Sequence, residues 1–536
     1  MSSRWSSFFK KSQEILLRQK LRRNIARVNN QVVRNSPEDS KQSPVLFFNA
    51  TARIRDLSQN AAFSLLTSWS LELSGVPVIH FVCRKGMSHC VLGTALDEPL
   101  DPPPCEGCIK NSQTFFRKNN VHWFSFQRDQ EIEQSLRELS LEELKTYCYR
   151  EKPLGEIVLP SLRWALRRHH LKDDQKTRRL FREFIVSANN VWYEFSQFLK
   201  KYQPQAMVLY NGLFYPEAVA RRLALENDIE VVTHEVGFSP LSAFFSRGLA
   251  PAYTIPIPGD FRLSGEQNQV LDEYLEQRFQ GKFTMAGIQF WPEMQKLNPE
   301  LSQKIADHEQ LAVIFTNVIF DTSQVFANTI FSDMFQWLDD LKQVIQENPE
   351  TLFIIRAHPD EYREGKRARE SVRRWIEKNE LVLLTQVEFI DSDQPISSYA
   401  LINQAKFILV YNSSIGLEAS LMGKPVIGAG QARYTDHGAV ISPPSIEEYQ
   451  ELLGEYLEAD QVDFPESSRR NARKFLYYQL FHVSLSFADF LQEHPNPGFV
   501  SLKSFDWFDL LPENSQTMRI LQEGILSGKD FVIPED

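Results

Sequence analysis

Phe407-Ile408-Leu409-Val410-Tyr411-Asn412-Ser413-Ser414-Ile415-Gly416-Leu417-Glu418-Ala419-Ser420-Leu421-Met422-Gly423-Lys424-Pro425-Val426-Ile427 reads as strand, loop, helix and strand in succession. An apolar run of strand length gives way to small hydroxyl residues, a helical stretch stops at Gly423, and Pro425 opens a second apolar run. That order calls for two parallel strands with the helix packed on the face of their sheet. Ser413 and Ser414 then fall at the carboxyl end of a strand, the edge on which such sheets hold ligands.

The same alternation runs outward on both sides. Upstream, strands are expected at 311–316, 351–356 and 382–385, with helices at 332–348 and 366–378 between them. The first half repeats the scheme: strands at 45–49, 76–83, 121–126, 206–210 and 230–233, and helices at 59–74, 174–202 and 216–226. The fold class is therefore α/β, with two doubly wound parallel-sheet lobes facing a cleft. The expected divisions are a basic helical extension at 1–44, an N-terminal lobe at 45–258 with a cysteine-containing insertion, and a linker at 259–300. A C-terminal lobe at 301–466 follows, then helices and a tail at 467–536, of which 467–492 is expected to be helical and to return toward the first lobe. A chain of 536 residues exceeds the size at which one core stops growing, which fits two lobes.

The 42% hydrophobic and 24% charged residues are those of an ordinary globular protein, and a net charge of −10 argues against a general nucleic-acid binder. The charge is uneven. Residues 1–34 hold nine Lys and Arg against Glu14 alone, with Trp5, Phe8, Phe9, Ile15, Leu16 and Leu17 interspersed. This basic amphipathic helix suits either peripheral contact with an anionic membrane or packing across a domain with a solvated basic face. No apolar run reaches the roughly 18 residues of a spanning helix and no signal-peptide pattern opens the chain, so the expected location is cytoplasmic, with the inner membrane face as the peripheral option.

Two motifs carry the chemistry. Unpaired amides at the helix start after Ser414, with the hydroxyls of Ser413 and Ser414, suit a phosphate ester, and Glu418 one turn on suits ribose hydroxyls. The plainer reading makes a serine the N-cap and Glu418 a first-turn acid. The strand at 351–356 ends in Arg356-Ala357-His358-Pro359, which in a parallel sheet opens on the same edge. Arg356 and His358 can then bring positive charge and a hydrogen-bond donor to the same phosphate, with His358 a candidate general acid.

Together, Arg356-Ala357-His358-Pro359, Asn412-Ser413-Ser414, Glu418-Ala419 and Gly423-Lys424-Pro425-Val426 resemble the donor-binding lobe of bacterial capsule polysaccharide synthesis proteins, which include Kdo transferases. Polysialyltransferases and CDP-glycerol glycerophosphotransferases carry a similar His-Pro and serine pair. The resemblance covers residues 315–442, roughly a quarter of the chain. It implies a GT-B glycosyltransferase but carries over neither the exact donor nor the acceptor, since the N-terminal lobe matches less clearly; the leading expectation is transfer of a sugar from a CMP- or UDP-linked donor to a glycan acceptor. It also implies that His358 and Ser413 or Ser414 contact the donor phosphate, and that catalysis needs no metal or other cofactor.

In such an enzyme Asn317, Gly416 and the loop through Asp321 would lie near the donor, although Asp321 also reads as a loop cap. His234 or Glu235, at a strand exit of the other lobe, would deprotonate the acceptor, unless the two form a buried pair that holds the loop. Two other classes stay open: a nucleotide-sugar epimerase sharing this phosphate site, and a non-catalytic scaffold of a glycan-synthesis assembly.

Five cysteines are too few for a secreted disulfide framework. Cys105 and Cys108 form one C-x-x-C, and with Cys90, Cys83, His80 and His89 nearby they offer three thiolates and an imidazole or fourth thiolate for a structural zinc, or ligands for an iron–sulfur cluster. Unligated thiols are the alternative, and neither reading puts this cluster in catalysis.

Overall fold

The computed structural model describes residues 2–37, 42–50, 56–250, 255–280, 295–363 and 367–535, with side chains from residue 15 onward except at Lys118. In the N-terminal lobe five parallel strands run in the order Glu230–Val236, Ala206–Tyr210, Val45–Asn49, Val78–Cys83, Val121–Phe124. Ser242–Ser246 adds antiparallel to the first of these, and Leu485–Ser486 pairs antiparallel beyond it. The C-terminal sheet is all parallel: Val387–Ile390, Thr351–Arg356, Gln310–Phe315, Phe407–Val410, Val426–Gly428.

Both sheets are buried on two faces. Along Val45–Asn49, Val45 and Phe47 join one apolar cluster while Leu46 and Phe48 join the other, as the two-residue period of a strand demands. Leu352, Phe353, Ile354 and Ile355 all have no exposed surface, which explains why that strand is apolar without alternation. In each lobe the first strand is central, and the chain builds to one side before crossing to the other. That reversal leaves a crevice beside the carboxyl ends of the two central strands. The crevices open after Asn49 and Tyr210 in one lobe and after Phe315 and Val410 in the other.

Several expected boundaries move. The strand expected at 382–385 forms at Val387–Ile390, because Leu381–Leu383 is a tight turn that leaves Val382 and Leu383 exposed. The helix expected at 366–378 begins at Val372, and the one expected at 467–492 is Glu466–Phe481. Beyond it Leu485–Ser486 joins the N-terminal sheet and the helix Gln516–Ser527 packs on Gln59–Leu73, so the chain does return to the first lobe. The 259–300 stretch is not a plain linker: Gly265–Phe279 is a helix whose Leu271 and Leu275 are buried in the C-terminal core. Residues 281–294, with the aromatic-rich part of that stretch, lie outside the described residues.

The basic segment is a helix, Ser2–Asn35. Its C-terminal half docks on the first lobe through fully buried Ile25, Val28 and Val32, while Arg27 donates to the Phe505 carbonyl at 3.0 Å and Arg18 pairs with Asp56 at 3.0 Å. The side chains of residues 2–14 lie outside the described set. Among the described residues no helix is long and apolar enough to cross a membrane.

Candidate active site

The carboxyl edges of the two sheets enclose a cleft of about 430 Å³. Its C-terminal wall carries Asn317, Asp321, His358, Asn412, Ser413, Ser414, Arg433 and Tyr434, and its N-terminal wall carries Trp164 and residues 235–238. The wall is braced at the switch point. The Asn412 amide donates to Asn317 Oδ1 at 3.3 Å, and Gln324 Nε2 donates to Asn412 Oδ1 at 2.9 Å. The Tyr434 hydroxyl donates to the Ser413 carbonyl. A Cβ on Gly416 would lie 2.6 Å from that hydroxyl and 2.9 Å from Val410 Cγ2, so glycine is required here for close packing behind the serine loop.

Ser413 and Ser414 precede the helix Ile415–Leu421, and the Ser414 side chain makes no cap bond to it. Among the described residues neither hydroxyl has a hydrogen-bond partner, which sets aside the capping alternative and leaves both groups facing the cleft. His358 lines the same cleft. Its Nδ1 accepts from the Asp360 amide at 3.1 Å, so the neutral ring carries its proton on Nε2 and can offer it as a donor. Asp321 lines the cleft and caps the turn Thr322–Phe326 as well, accepting from the Ser323 amide at 3.1 Å and hydroxyl at 2.7 Å.

Two expected donor ligands face elsewhere. Arg356 is 3% exposed and donates to the backbone carbonyls of Asp391 and Gln394, so it ties down the neighbouring strand exit instead of reaching the cleft. Burial pushes its pKa down to about 10. Glu418 is buried behind the helix, accepting from Arg278 Nη2 at 2.6 Å and from the Tyr399 hydroxyl at 2.6 Å. It pins Gly265–Phe279 to the lobe and has no access to a ribose.

In the N-terminal lobe His234 and Glu235 sit on opposite faces of one strand, as adjacent strand residues must, so they form no pair. His234 is 1% exposed between the rings of Tyr210 and Phe245, and burial takes its pKa down to about 3. It is core, not a base. Glu235 faces the cleft, held by Asn211 Nδ2 at 2.9 Å, Asn60 Nδ2 at 3.2 Å and the Val236 amide at 3.0 Å. The positive charge on the C-terminal wall comes instead from Arg433, which stacks 4.4 Å from the Phe244 ring and donates to the Ala250 carbonyl at 3.1 Å. Sequence reasoning missed Arg433 and Trp164. Arg433 follows the exit of the strand Val426–Gly428, so the rule that nominated Ser413 could have found it.

Residues 287–444 match the model of the family described as capsule polysaccharide biosynthesis protein. The matched stretch includes Asn317, Asp321, His358, Ser413, Ser414 and Arg433 of the C-terminal wall. The chain is also 25% identical over 280 residues to Protein FixF of Sinorhizobium fredii, covering 49% of this chain and 60% of that protein, under two thirds of its length. Among solved structures it resembles a KpsC β-Kdo 2,4 transferase of Thermosulfurimonas dismutans (14% identity, 56% of this chain and 84% of that one, TM-score 0.35). It also resembles the UDP-GlcNAc 2-epimerase of Neisseria meningitidis bound to UDP-GlcNAc (12% identity, 82% and 99%, TM-score 0.23). At such identities and TM-scores neither likeness assigns an activity.

The lobes are clamped beside the cleft. His170 of the first lobe places Nδ1 2.6 Å from Glu370 and Nε2 3.3 Å from Asp333 of the second, while Glu370 Oε2 accepts from the His169 and His170 amides at 2.9 and 3.0 Å. His169, His170 and Asp333 are spaced as a metal triad would be. Yet both His170 nitrogens face carboxylates, so both carry protons and neither has a lone pair for a metal. Hydrogen bonds to Asp333 and Glu370 raise the His170 pKa from its ordinary 6.5 to about 10. A raised folded pKa adds stability that is complete below pH 6.5 and is lost as pH climbs through about 10. The thermal midpoint of the wild type is therefore expected to exceed that of His170→Asn by a margin that shrinks from pH 6 to pH 10. A margin independent of pH would contradict the clamp.

Proposed function

We propose that the protein is a glycosyltransferase that moves a sugar from a CMP- or UDP-linked donor to a glycan acceptor in capsule or surface polysaccharide synthesis. The observation that carries this reading is one cleft with two unlike walls. Two serine hydroxyls with no partner among the described residues, a histidine donor and Arg433 lie on one side, and an oriented carboxylate, Glu235, on the other. The family match over 287–444 supports the first wall as the donor side.

In this reading the donor phosphate rests against Ser413, Ser414 and His358, with Arg433 balancing its charge, and the base or sugar stacks on Trp164. As the glycosidic bond to phosphate lengthens, negative charge grows on the leaving oxygen, and preoriented donors stabilise it more than they stabilise the ground state. Glu235 takes the proton of the attacking acceptor hydroxyl; the three N–H donors that hold its carboxylate fix its direction. The positive groups in the wall are the protein's own, and transfer is proposed to run without an added divalent cation.

The test is transfer from CMP- and UDP-linked sugars with and without a glycan acceptor. Glu235→Gln is expected to lower kcat by about 100-fold or more while the donor KM stays close to that of the wild type. An undiminished kcat would remove Glu235 from the chemistry. Donor turnover without acceptor, giving an epimerised nucleotide sugar, would replace transfer by epimerisation.

A further inference from the structure

A second small cavity of about 30 Å³ lies in the N-terminal lobe and shares no lining residue with the cleft. Cys83, Cys90, Cys105 and Cys108 all line it, and none of them is in a disulfide; Cys148 lies elsewhere, exposed. The backbone around them is shaped to serve sulfur. Lys85 takes a left-handed conformation (φ 57°), which turns the Gly86 amide back to donate to Cys83 Sγ at 3.2 Å. Gly86 admits no side chain, because a Cβ would fall 2.2 Å from the Phe124 ring. The same Cys-x-x-Gly spacing recurs at Cys90, where the Gly93 amide donates to the Cys90 carbonyl at 3.2 Å and a Cβ on Gly93 would lie 2.8 Å from the Cys90 sulfur. Cys105 and Cys108 occupy the first turn of the helix Cys105–Phe115, whose N-terminus favours negative charge. Residues 84–104 reach that helix with one short turn, Val91–Gly93, as their regular structure. So long an irregular connection in a compact lobe needs something to hold it.

The Gly86 amide aimed at the Cys83 sulfur gains little from a neutral thiol and much from a metal-bound thiolate. The sulfurs are also widely set. Among the described residues the ligand atoms gathered within 4.8 Å are those of His169, His170 and Asp333, and no three of the cysteines meet that limit. Four sulfurs around a single zinc at about 2.3 Å would stand about 3.8 Å apart. In a four-iron, four-sulfide cluster each thiolate binds a different iron, and the cysteine sulfurs stand further apart. We propose that Cys83, Cys90, Cys105 and Cys108 ligate an iron–sulfur cluster that staples residues 84–104 to the N-terminal lobe, apart from the sugar chemistry. Each thiol gives up its proton on ligation, and no electron transfer is required of the cluster.

The full-length protein purified without oxygen is expected to contain about four iron and four acid-labile sulfide per chain, with a broad visible absorbance bleached by dithionite. Cys105→Ser/Cys108→Ser should lose the iron and lower the thermal midpoint, and Cys148→Ser should keep both. One zinc per chain with no iron, no bound metal, or loss of iron in Cys148→Ser would each overturn the proposal. These readings on the wild type and on Cys148→Ser decide it even where the double variant fails to fold.

Discussion

Replacing His358 with alanine is expected to lower kcat for sugar transfer by about 100-fold or more while the fold stays intact. The Nδ1 of the side chain accepts from the Asp360 amide at 3.1 Å in a half-buried loop. Losing such a bond costs on the order of 1 kcal/mol. Its Nε2 proton, by contrast, is the donor best placed to meet charge that appears only as the phosphate leaves. Removing one preoriented donor of that kind typically costs about 100- to 1,000-fold in rate. Steady-state kinetics with melting curves separate the two effects. A variant that retains full kcat would move the catalytic donor elsewhere on the wall, with Arg433 the next group to test.

The second large effect is on stability. Glu418→Ala is expected to destabilise the protein by about 3–5 kcal/mol, because it leaves the Arg278 guanidinium buried without its carboxylate. The Arg278 and Glu418 side chains are 10% and 7% exposed, too little for water to compensate. The Tyr399 hydroxyl loses its acceptor as well. Denaturant unfolding of the two proteins measures this directly. A variant of unchanged stability and weakened nucleotide affinity would instead restore Glu418 as a ribose ligand.

Glu418 also marks where sequence reasoning reaches its limit. The strand, loop, helix and strand of residues 407–427 were legible because each signal is local: an apolar run, small hydroxyl residues, and Gly423, whose φ of 78° ends the helix. Which face of that helix meets the cleft depends on Arg278 and Tyr399, 140 and 19 residues away, and no local pattern encodes that contact. Arg356 fails for a similar reason. Its place at a strand end is local information, but its carbonyl partners belong to residues 391–394, brought alongside by the sheet. His234 and Glu235 were partly decidable, since strand alternation allows only one of two adjacent residues to face a given crevice. Val382-Leu383-Leu384 misled because an apolar run of strand composition can equally close a turn, whereas Val387-Glu388-Phe389-Ile390 forms the strand.

The central claim is that Ser413, Ser414 and His358 form a phosphate site for a nucleotide-linked sugar. Calorimetric titration of CMP, CDP, UDP and GDP into the wild type and into Ser413→Ala/Ser414→Ala tests it most directly. The account predicts that a pyrimidine nucleotide binds the wild type and binds the double variant at least about tenfold more weakly, a difference of about 1.4 kcal/mol. Binding of equal strength to both proteins, or no binding of any of the four nucleotides to the wild type, would contradict it.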